Sequence, residues 1–236
     1  PGPGGIWPDR RARGRGMVDV ASMRPRIADL FCGAGGAGMG LHRAGFEVVG
    51  FDLKPQPNYP FEFHHADALD VDLRGFDAIW ASPPCQRFSQ AVKKKYRKAR
   101  PNLIPAIRIQ ITNADVPYMI ENVPTARRHL REPVQLCGSA FGLPIRRHRL
   151  FESNVWLWSG QCSHEEYPRI YPPAWNRTTP LRVLSISGGY QQRQASLDEH
   201  RAAMGVDWDM TCTELSEAIP PAYSEYLGKQ LMAVLS

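Results

Sequence analysis

The stretch SPPCQRFS, from Ser82 to Ser89, places a cysteine directly after two prolines at the end of the apolar run FDAIWA. A cysteine thiolate is a strong nucleophile at neutral pH when nearby positive charge or a helix N-terminus lowers its pKa. Prolines stiffen the backbone, so they would hold the side chain of Cys85 outward at the strand end. Cys85 is therefore a candidate nucleophile. The alternative, from the residue alone, is a buried and chemically inert cysteine.

A candidate acid–base residue, Glu121, begins the stretch ENVP directly after the apolar run VPYMI. If the runs before Cys85 and Glu121 are parallel strands, both residues lie at the carboxyl edge of one sheet, where α/β proteins bind ligands. Burial there would raise the pKa of the Glu121 carboxyl, which suits proton transfer. The alternative is a glutamate that only caps the turn after its strand.

A glycine-rich loop predicts a cofactor site. Gly33, Gly35 and Gly38 fit the spacing GxGxxG after the run RIADLF, and Asp52 ends the next apolar run. Glycines permit a tight turn and close approach of a ligand, and an acid about 20 residues further on can bind ribose hydroxyls. The pattern indicates a cofactor with an adenosine part, either a dinucleotide or S-adenosylmethionine. Asp67 could contact the adenine or cap a turn.

The elements that must position these residues alternate between strand and helix. Strands are predicted at RIADLF, FEVVGFD, FDAIWA, VPYMIENV and HRLFES, with shorter ones within FEFHHADALDV and after Glu132. Helices are predicted after the glycine loop, from Asn102 to Asn113 and from Glu225 to Leu235. This alternation favours a parallel, doubly wound α/β sheet.

Four parts are predicted along the chain. Residues 1–22, rich in Gly, Pro and Arg, are expected to be a disordered basic tail. Residues 23–153 form the catalytic and cofactor-binding core. Residues 154–210 are rich in Trp, Tyr, Pro and polar residues and predict a small loop-rich region, and residues 211–236 return to the core.

Composition limits the class of protein. The 236 residues, 43% of them hydrophobic, suit one domain of good size. The sequence contains no run of about 18 apolar residues, so no membrane-spanning helix is predicted. The five cysteines are widely spaced and form no CxxC pair, which argues against a disulfide framework and favours the cytoplasm.

The net charge of +6 permits a polyanionic partner, and its distribution is informative. KKKYRKAR, from Lys93 to Arg100, carries six positive charges and no negative one, four residues after Ser89. This position favours a loop that binds DNA phosphates. A solvated surface loop is the alternative.

Four motifs in this order, DLFCGAGGAGMGLHRAGF, SPPCQRFS, YMIENVP and RRHRLFES, resemble the C5-cytosine DNA methyltransferase family, in particular its compact, phage-type members. The motifs lie between Asp29 and Ser153. The resemblance implies a class-I S-adenosylmethionine-dependent methyltransferase fold, which is a Rossmann-like, doubly wound mixed sheet with a small target-recognition region. It implies methyl transfer from S-adenosylmethionine to carbon 5 of cytosine in double-stranded DNA. The protein is expected to be a monomer and to bind no membrane.

The resemblance also implies a role for each matching residue. Cys85 would attack carbon 6 of a cytosine flipped out of the duplex. Glu121 would hydrogen-bond the ring N3 and the exocyclic amine. Arg149 would hold the base near O2, with Arg147 assisting.

The other implied contacts fall into two sets. The expected cofactor contacts are Phe31, Gly33, Gly35, Gly36, Asp52, Leu53, Asp67, Ala68 and Pro83. The expected DNA contacts are Gln86, Ser89, Lys93, Lys94, Lys95 and Arg97.

The sequence departs from the family pattern at two places. Ile145 stands where the arginine motif commonly has Gln, and AIPPAY, from Ala218 to Tyr223, replaces a Gly-Asn pair that helps to bind the cofactor. The second departure leaves a modified sulfonium donor open. An RNA cytosine methyltransferase, an NAD-dependent oxidoreductase and a catalytically inactive DNA-binding protein are the alternative functions. Roles in phage protection, in restriction–modification or as a solitary enzyme all remain open.

Two groups of residues outside the motifs are assigned no function. Cys162 and His164 could ligate zinc with Cys137 or Cys212, but their spacing matches no common zinc pattern, so no metal site is predicted. The tryptophans at 156, 158 and 175 could stack on bases or build a small core.

Overall fold

The computed structural model describes residues 24–89, 94–162, 164, 184, 186 and 195–235. The predicted tail and most of the predicted target-recognition region, Trp175 included, lie outside the described residues.

Seven strands form one sheet in the order β3-β2-β1-β4-β5-β7-β6. Strands β1 to β5 run parallel to one another, whereas β7 runs antiparallel to both β5 and β6. The mixed sheet implied by the resemblance is therefore confirmed. The strands are β1 Arg26–Leu30, β2 Glu47–Asp52, β3 Glu62–His65, β4 Ala78–Ala81, β5 Tyr118–Asn122, β6 Val134–Leu136 and β7 Arg149–Ser153.

Six α-helices accompany the sheet in the described part of the chain: α1 Gly36–Arg43, α2 Lys94–Arg97, α3 Ile104–Thr112, α4 Leu197–Met204, α5 Cys212–Glu217 and α6 Pro221–Ala233. Short 3-10 turns lie at Pro124–His129 and Gly138–Phe141. Helix α4 lies in a region predicted to be loop-rich. Its signals were a capping box, in which Ser196 and Glu199 exchange hydrogen bonds, and Gly205 directly after its end.

Both faces of the sheet are buried, as a doubly wound fold requires. Neighbouring residues of β4 show this, because Ile79 and Trp80 are both fully buried but belong to different hydrophobic clusters. Ile79 packs in the cluster that contains residues of α3. Trp80 packs in the cluster that contains Leu41 of α1 and Leu227 of α6. The C-terminal helix thus returns to the sheet as predicted, although it begins four residues earlier, at Pro221.

Glycines in α1 let the C-terminal segment pack closely against this helix and the glycine-rich loop before it. A Cβ on Gly36 would lie 2.6 Å from the carbonyl oxygen of Ile219, and one on Gly40 would overlap the carbonyl of Pro221 and the hydroxyl of Ser224. Because these side chains are absent, the chain that enters α6 packs directly against the first turn of α1. This contact brings residues 218 and 219 to the carboxyl edge of the sheet.

A buried ion pair ties α3 to β7. The guanidinium of Arg108 donates two hydrogen bonds of 2.6 Å to the carboxylate of Glu152, which is 1% exposed. The backbone N–H of Arg131 donates a further bond to Glu152. Such a pair is costly to break, since the remaining partner would be a buried, unpaired charge.

Among the helices of the described residues, none is long and apolar enough to cross a membrane.

Candidate active site at the carboxyl edge of the sheet

A cavity of about 350 Å³ opens at the carboxyl ends of β1, β2, β4 and β5. It joins the predicted cofactor and catalytic residues in one space. The predicted residues that line it are Phe31, Gly33, Gly36, Asp52, Leu53, Asp67, Ala68, Pro83, Cys85, Gln86, Glu121 and Arg149. Gly35, Ser89 and Arg147 are not part of its walls.

The glycine loop forms the end of the cavity where the cofactor is predicted to bind. Phe31 and Gly33 have positive φ angles of 59° and 50°, so the chain turns sharply after β1. The backbone N–H of Gly33 donates to a carboxylate oxygen of Asp52 at 3.1 Å, and the N–H of Lys54 donates to the other oxygen at 2.9 Å. A Cβ on Gly35 would lie 2.6 Å from Pro60, so this glycine serves packing behind the loop.

Asp67 caps a turn, which is one of the two roles that the sequence left open, and its contact with the adenine stays a prediction. One carboxylate oxygen accepts a hydrogen bond from the backbone N–H of Leu69 at 3.0 Å, which caps the turn after β3. The residue also lines the cavity, beside the buried Ala68. A turn-capping carboxylate keeps acceptor capacity for a ligand.

Cys85 lies half-buried in the loop after β4. Its carbonyl oxygen accepts hydrogen bonds of 2.8 Å from the N–H groups of Phe88 and Ser89, which form a tight turn. Burial and the charge of Glu121 raise the pKa of the Cys85 thiol, and Arg149 and Arg147 oppose them only in part. The pKa therefore moves opposite to the lowering that the sequence argument invoked for an activated cysteine.

Glu121, on β5, is 7% exposed and is held by Arg149 at the start of β7. The Nε of Arg149 lies 3.0 Å from a carboxylate oxygen of Glu121. Burial raises the pKa of Glu121, although Arg149, Arg147 and a hydrogen bond with Ser82 oppose the shift. The hydroxyl of Ser82 also accepts a bond of 3.0 Å from the indole N–H of Trp80, which fixes this hydroxyl beside the carboxyl.

Two residues that the sequence analysis missed hold the cysteine loop in place. The side-chain amide of Asn122, fully buried, donates to the carbonyl of Pro83 at 2.9 Å. The hydroxyl of Thr125 donates to the carbonyl of Phe88 at 2.8 Å. The segment that carries Glu121 therefore also fixes the loop that carries Cys85. The position of Asn122 inside ENVP was the available signal.

Arg147 lies behind the cavity rather than in it. Its guanidinium donates hydrogen bonds of 2.6–2.7 Å to the backbone carbonyls of Ile186, Ser216 and Ala218. Burial, with the charge of Arg149 as a second cause, lowers the pKa of Arg147 to about 9. These contacts favour a positioning role, and direct assistance at the base stays a prediction.

The C-terminal segment supplies a wall that no motif predicted. Glu214, Glu217, Ala218 and Ile219 line the cavity in the region where the family's Gly-Asn pair is missing. The carboxylate of Glu214 accepts two hydrogen bonds, of 3.0 and 3.2 Å, from the side-chain amide of Asn58. Acidic side chains therefore stand at the end of the cavity where the sequence departs from the family.

The basic segment follows the cysteine loop as expected, but only part of it is described. Lys93 lies outside the described residues, and Lys94 begins α2. The exposed ammonium of Lys95 lies 4.8 Å from the ring centre of Tyr96, and Arg97 is half-buried in the same helix.

Arg87, which the sequence analysis did not single out, ties this segment to the cysteine loop. Its guanidinium donates to the carbonyl of Lys98 at 3.3 Å and to that of Arg100 at 2.7 Å.

Outside the cavity, Cys137, Cys162 and His164 come together with His148. Cys212, the other cysteine considered for this group, lies at the start of α5 and is not part of it.

Comparison with known proteins identifies the family of the chain. Residues 25–136 match the model of the C-5 cytosine-specific DNA methylase family. The Type II methyltransferase M.HgiGI of Herpetosiphon aurantiacus is 32% identical over 117 residues, which are 43% of this chain and 93% of that protein. The Type II methylase M.HgiDII of the same organism is 31% identical over 230 residues, which are 82% of this chain and 63% of that protein.

The fold agrees with this sequence relationship. The crystal structure of the S. pombe Dnmt2 methyltransferase superposes with a TM-score of 0.55 at 16% identity, covering 90% of this chain and 99% of that chain. The predicted fold class and the family resemblance of the four motifs are thereby confirmed. This chain belongs to the C-5 cytosine-specific DNA methylase family.

Proposed function

We propose that the cavity transfers a methyl group from S-adenosylmethionine to carbon 5 of a cytosine flipped out of double-stranded DNA. One observation supports this proposal above the others. Cys85, Glu121 and Arg149 line the same space as Gly33 and Asp52, so a nucleophile for the base and a cradle for the cofactor meet in one cavity.

The residues at the cofactor end fit S-adenosylmethionine. Asp52 is fixed by two backbone N–H groups and keeps acceptor capacity for ribose hydroxyls. A Cβ on Gly33 would meet nothing within 4 Å, so a ligand can approach the backbone there. When bound, S-adenosylmethionine supplies the methyl group from a sulfonium. Glu214 and Glu217 offer carboxylates for the ammonium of its amino-acid end, in place of the missing Gly-Asn pair.

Cys85 starts the chemistry by adding to the base. Carbon 5 of cytosine is a poor nucleophile in the aromatic ring. The Cys85 thiolate forms a bond to carbon 6, and the displaced electron pair makes carbon 5 nucleophilic. After carbon 5 has accepted the methyl group, its proton leaves to a base, and the electron pair of that C–H bond reforms the C5–C6 double bond. The bond from Cys85 to carbon 6 breaks in the same elimination, because carbon 6 cannot hold both bonds, and its electron pair returns to sulfur as the thiolate.

Glu121 and Arg149 make this addition favourable. When the base is bound, Glu121 takes up a proton, which burial favours by raising the pKa of its carboxyl, and donates a hydrogen bond to the ring N3, where negative charge develops as Cys85 attacks. Its other oxygen accepts from the exocyclic amine. Arg149 orients the carboxyl through the 3.0 Å contact and presents further N–H donors to the base oxygen O2.

The base must leave the duplex to reach Cys85, since stacking covers both faces of a paired cytosine. The basic segment, anchored by Arg87 beside the cysteine loop, is placed to bind phosphates next to the flipped base. Gln86 lines the cavity and Ser89 lies in the same turn, so both are proposed to contact the displaced nucleotide or its neighbours.

The direct test is mass spectrometry of nucleosides from duplex DNA incubated with the protein and S-adenosylmethionine. We expect new 5-methylcytosine with the wild type, none with Cys85→Ser, and wild-type levels with Cys212→Ser as the control. Equal activity in Cys85→Ser would disprove the covalent role of Cys85. Product in RNA but not in DNA would favour the RNA alternative. Product only with a modified sulfonium donor would mean that the protein uses a donor other than S-adenosylmethionine, in line with the missing Gly-Asn pair.

A second prediction concerns the basic segment. Replacing Lys95, Arg97 and Lys98 by Gln should weaken DNA binding and reduce the slope of log K against log salt by about 0.9 for each phosphate that the protein no longer neutralises. The control is Lys229→Gln, which removes an exposed charge of α6 that pairs with Glu225. A slope equal to that of the wild type would make the segment a plain solvated surface.

A further inference from the structure

Four side chains that the methyltransferase chemistry does not use converge beside the arginine segment, which is the stretch RRHR at residues 146–149. One donor atom from each of Cys137, His148, Cys162 and His164 lies within 4.8 Å of all the others. The sulfur of Cys137 lies 3.3 Å from Nε2 of His164, and the sulfur of Cys162 lies 3.5 Å from Nε2 of His148. The two imidazole rings are 5.0 Å apart and nearly perpendicular.

We propose that Cys137, His148, Cys162 and His164 form a structural zinc site. In a tetrahedral site with zinc–sulfur bonds of about 2.3 Å and zinc–nitrogen bonds of about 2.0–2.1 Å, sulfur and nitrogen ligands lie about 3.5 Å apart. The two observed sulfur–nitrogen distances already match this value. Two thiolates and two imidazoles are a ligand set that zinc prefers, and four protein ligands leave no open position for catalysis.

The surroundings of the group support metal binding. Cys137 is buried at the end of β6, whereas Cys162 is exposed, so the site is dry on one side and reachable from solvent on the other. The hydroxyl of Ser139 donates to the sulfur of Cys137 at 3.4 Å, which is a typical outer contact of a metal-bound thiolate. The guanidinium of Arg146 donates to the carbonyl of His164 at 2.8 Å and fixes the backbone of that ligand.

The spacing of the ligands explains why the sequence did not predict this site. Common zinc motifs place two ligands in a short loop and two more in another. Here Cys162 and His164 form one short pair, but Cys137 and His148 lie on opposite sides of the glycine turn at Gly142. Only the fold brings the second pair together, so His148 was not considered.

A metal at this position would hold the arginine segment. His148 lies between Arg147 and Arg149, and the chain from Cys162 to His164 follows β7 at the start of the predicted target-recognition region. Zinc would therefore fix both the backbone that presents Arg149 to Glu121 and the point where that region leaves the core. This role is separate from methyl transfer, so its test does not depend on activity.

The test is the metal content of the full chain, purified without chelators under reducing conditions and measured by inductively coupled plasma mass spectrometry. We expect about one zinc ion per folded chain. Cys162→Ser and His164→Asn should each reduce the zinc content at least about tenfold. The matched controls are Cys212→Ser and His64→Asn, which change the same residue types outside the group and should keep the wild-type content.

Exposed Cys162 is chosen because its replacement leaves no buried cavity, and circular dichroism checks that each variant is folded. Cobalt(II) added to the chelator-treated wild type should give the visible absorption of a tetrahedral thiolate site, and Cys162→Ser should lose it. Wild-type protein that binds neither zinc nor cobalt, or full zinc content in Cys162→Ser, would overturn the proposal. A disulfide between Cys137 and Cys162 in the reduced preparation, detected by alkylation and peptide mass spectrometry, would also overturn it.

Discussion

The cavity and the Cys–His group both include residues of the segment 145–149, and both contain cysteines. On the cavity side, Arg147 and Arg149 act on Glu121, and Cys85 is half-buried beside them. On the other side, Arg146 donates to the carbonyl of His164, and Nε2 of His148 lies 3.5 Å from the sulfur of Cys162. One short segment therefore adjoins both proposed cysteine sites.

The two sites differ in the side chains that lie next to their cysteine sulfurs. The sulfurs of Cys137 and Cys162 each have an imidazole nitrogen within 3.5 Å, so their coordination can be completed from within the group. Cys85 lines an open cavity, where burial and Glu121 hold its proton. The cysteine proposed to bond to a substrate therefore faces a cavity, whereas the cysteines proposed to bind zinc each have an imidazole beside them.

The largest expected effect is on the cavity side. Glu121→Gln keeps the shape of the side chain but removes the proton that it can supply, so we expect kcat for cytosine methylation to fall by about 10²–10⁴-fold. The zinc content should not change, since Glu121 is not in the Cys–His group. Steady-state methylation assays measure the first quantity and metal analysis the second.

Glu47→Gln is the matched control, because Glu47 pairs with Arg26 at 3.1 Å at the start of β2 and does not line the cavity. A Glu121→Gln enzyme with wild-type kcat would show that the carboxyl only supports the strand end.

The cavity side was largely predictable from the sequence because its signals are local. The glycine turn after β1, Asp52 at the end of β2, and Cys85 after the apolar run of β4 are each recognisable within a few residues. Parallel strands then bring these ends together without further information. For the same reason β1, β2, β4, β5 and β7 were predicted to within two residues at each end, whereas β3 and β6 were predicted without bounds.

The rest depends on contacts that are distant in the sequence. The carbonyls that Arg147 binds belong to residues 186, 216 and 218, and no local pattern specifies them. The pKa of Cys85 depends on its burial and on Glu121, which outweigh the charges of Arg149 and Arg147. Helix α4 lies outside the prediction because the overall composition of residues 154–210 is typical of loops, although Ser196 and Glu199 form a local start signal.

A smaller effect is expected from Arg147, which lies between the two sites. Arg147→Met should leave buried carbonyls without a donor and lower the free energy of unfolding by about 3 kcal/mol, measured by urea denaturation. Because Ala218 lines the cavity and would no longer be bonded to residue 147, the KM for S-adenosylmethionine should rise.

Arg149→Met provides the comparison for this variant. It should reduce kcat more and stability less, since Arg149 contacts Glu121 rather than the C-terminal segment. Equal effects of the two substitutions on stability and on kcat would mean that both arginines act as one unit.

The smallest expected effect is on the pH dependence of the reactivity of the Cys85 thiol. This measurement distinguishes the influence of Glu121 on the thiol from that of Arg149. Below the pKa of a thiol, the thiolate fraction and the alkylation rate rise about tenfold per pH unit. The raised pKa of Cys85 therefore predicts slow reaction with iodoacetamide at neutral pH and a midpoint above that of a free cysteine. Peptide mass spectrometry follows Cys85 separately from the other four cysteines.

The sign of each variant's effect follows from its charge. Glu121→Gln removes the negative charge that disfavours the thiolate, so the midpoint should move to lower pH and Cys85 should react faster at pH 7. Arg149→Met removes a positive charge that favours the thiolate, so the midpoint should move to higher pH. If neither substitution moved the profile, burial alone would set the pKa. The cytosine, rather than the resting enzyme, would then have to supply the environment in which Cys85 loses its proton.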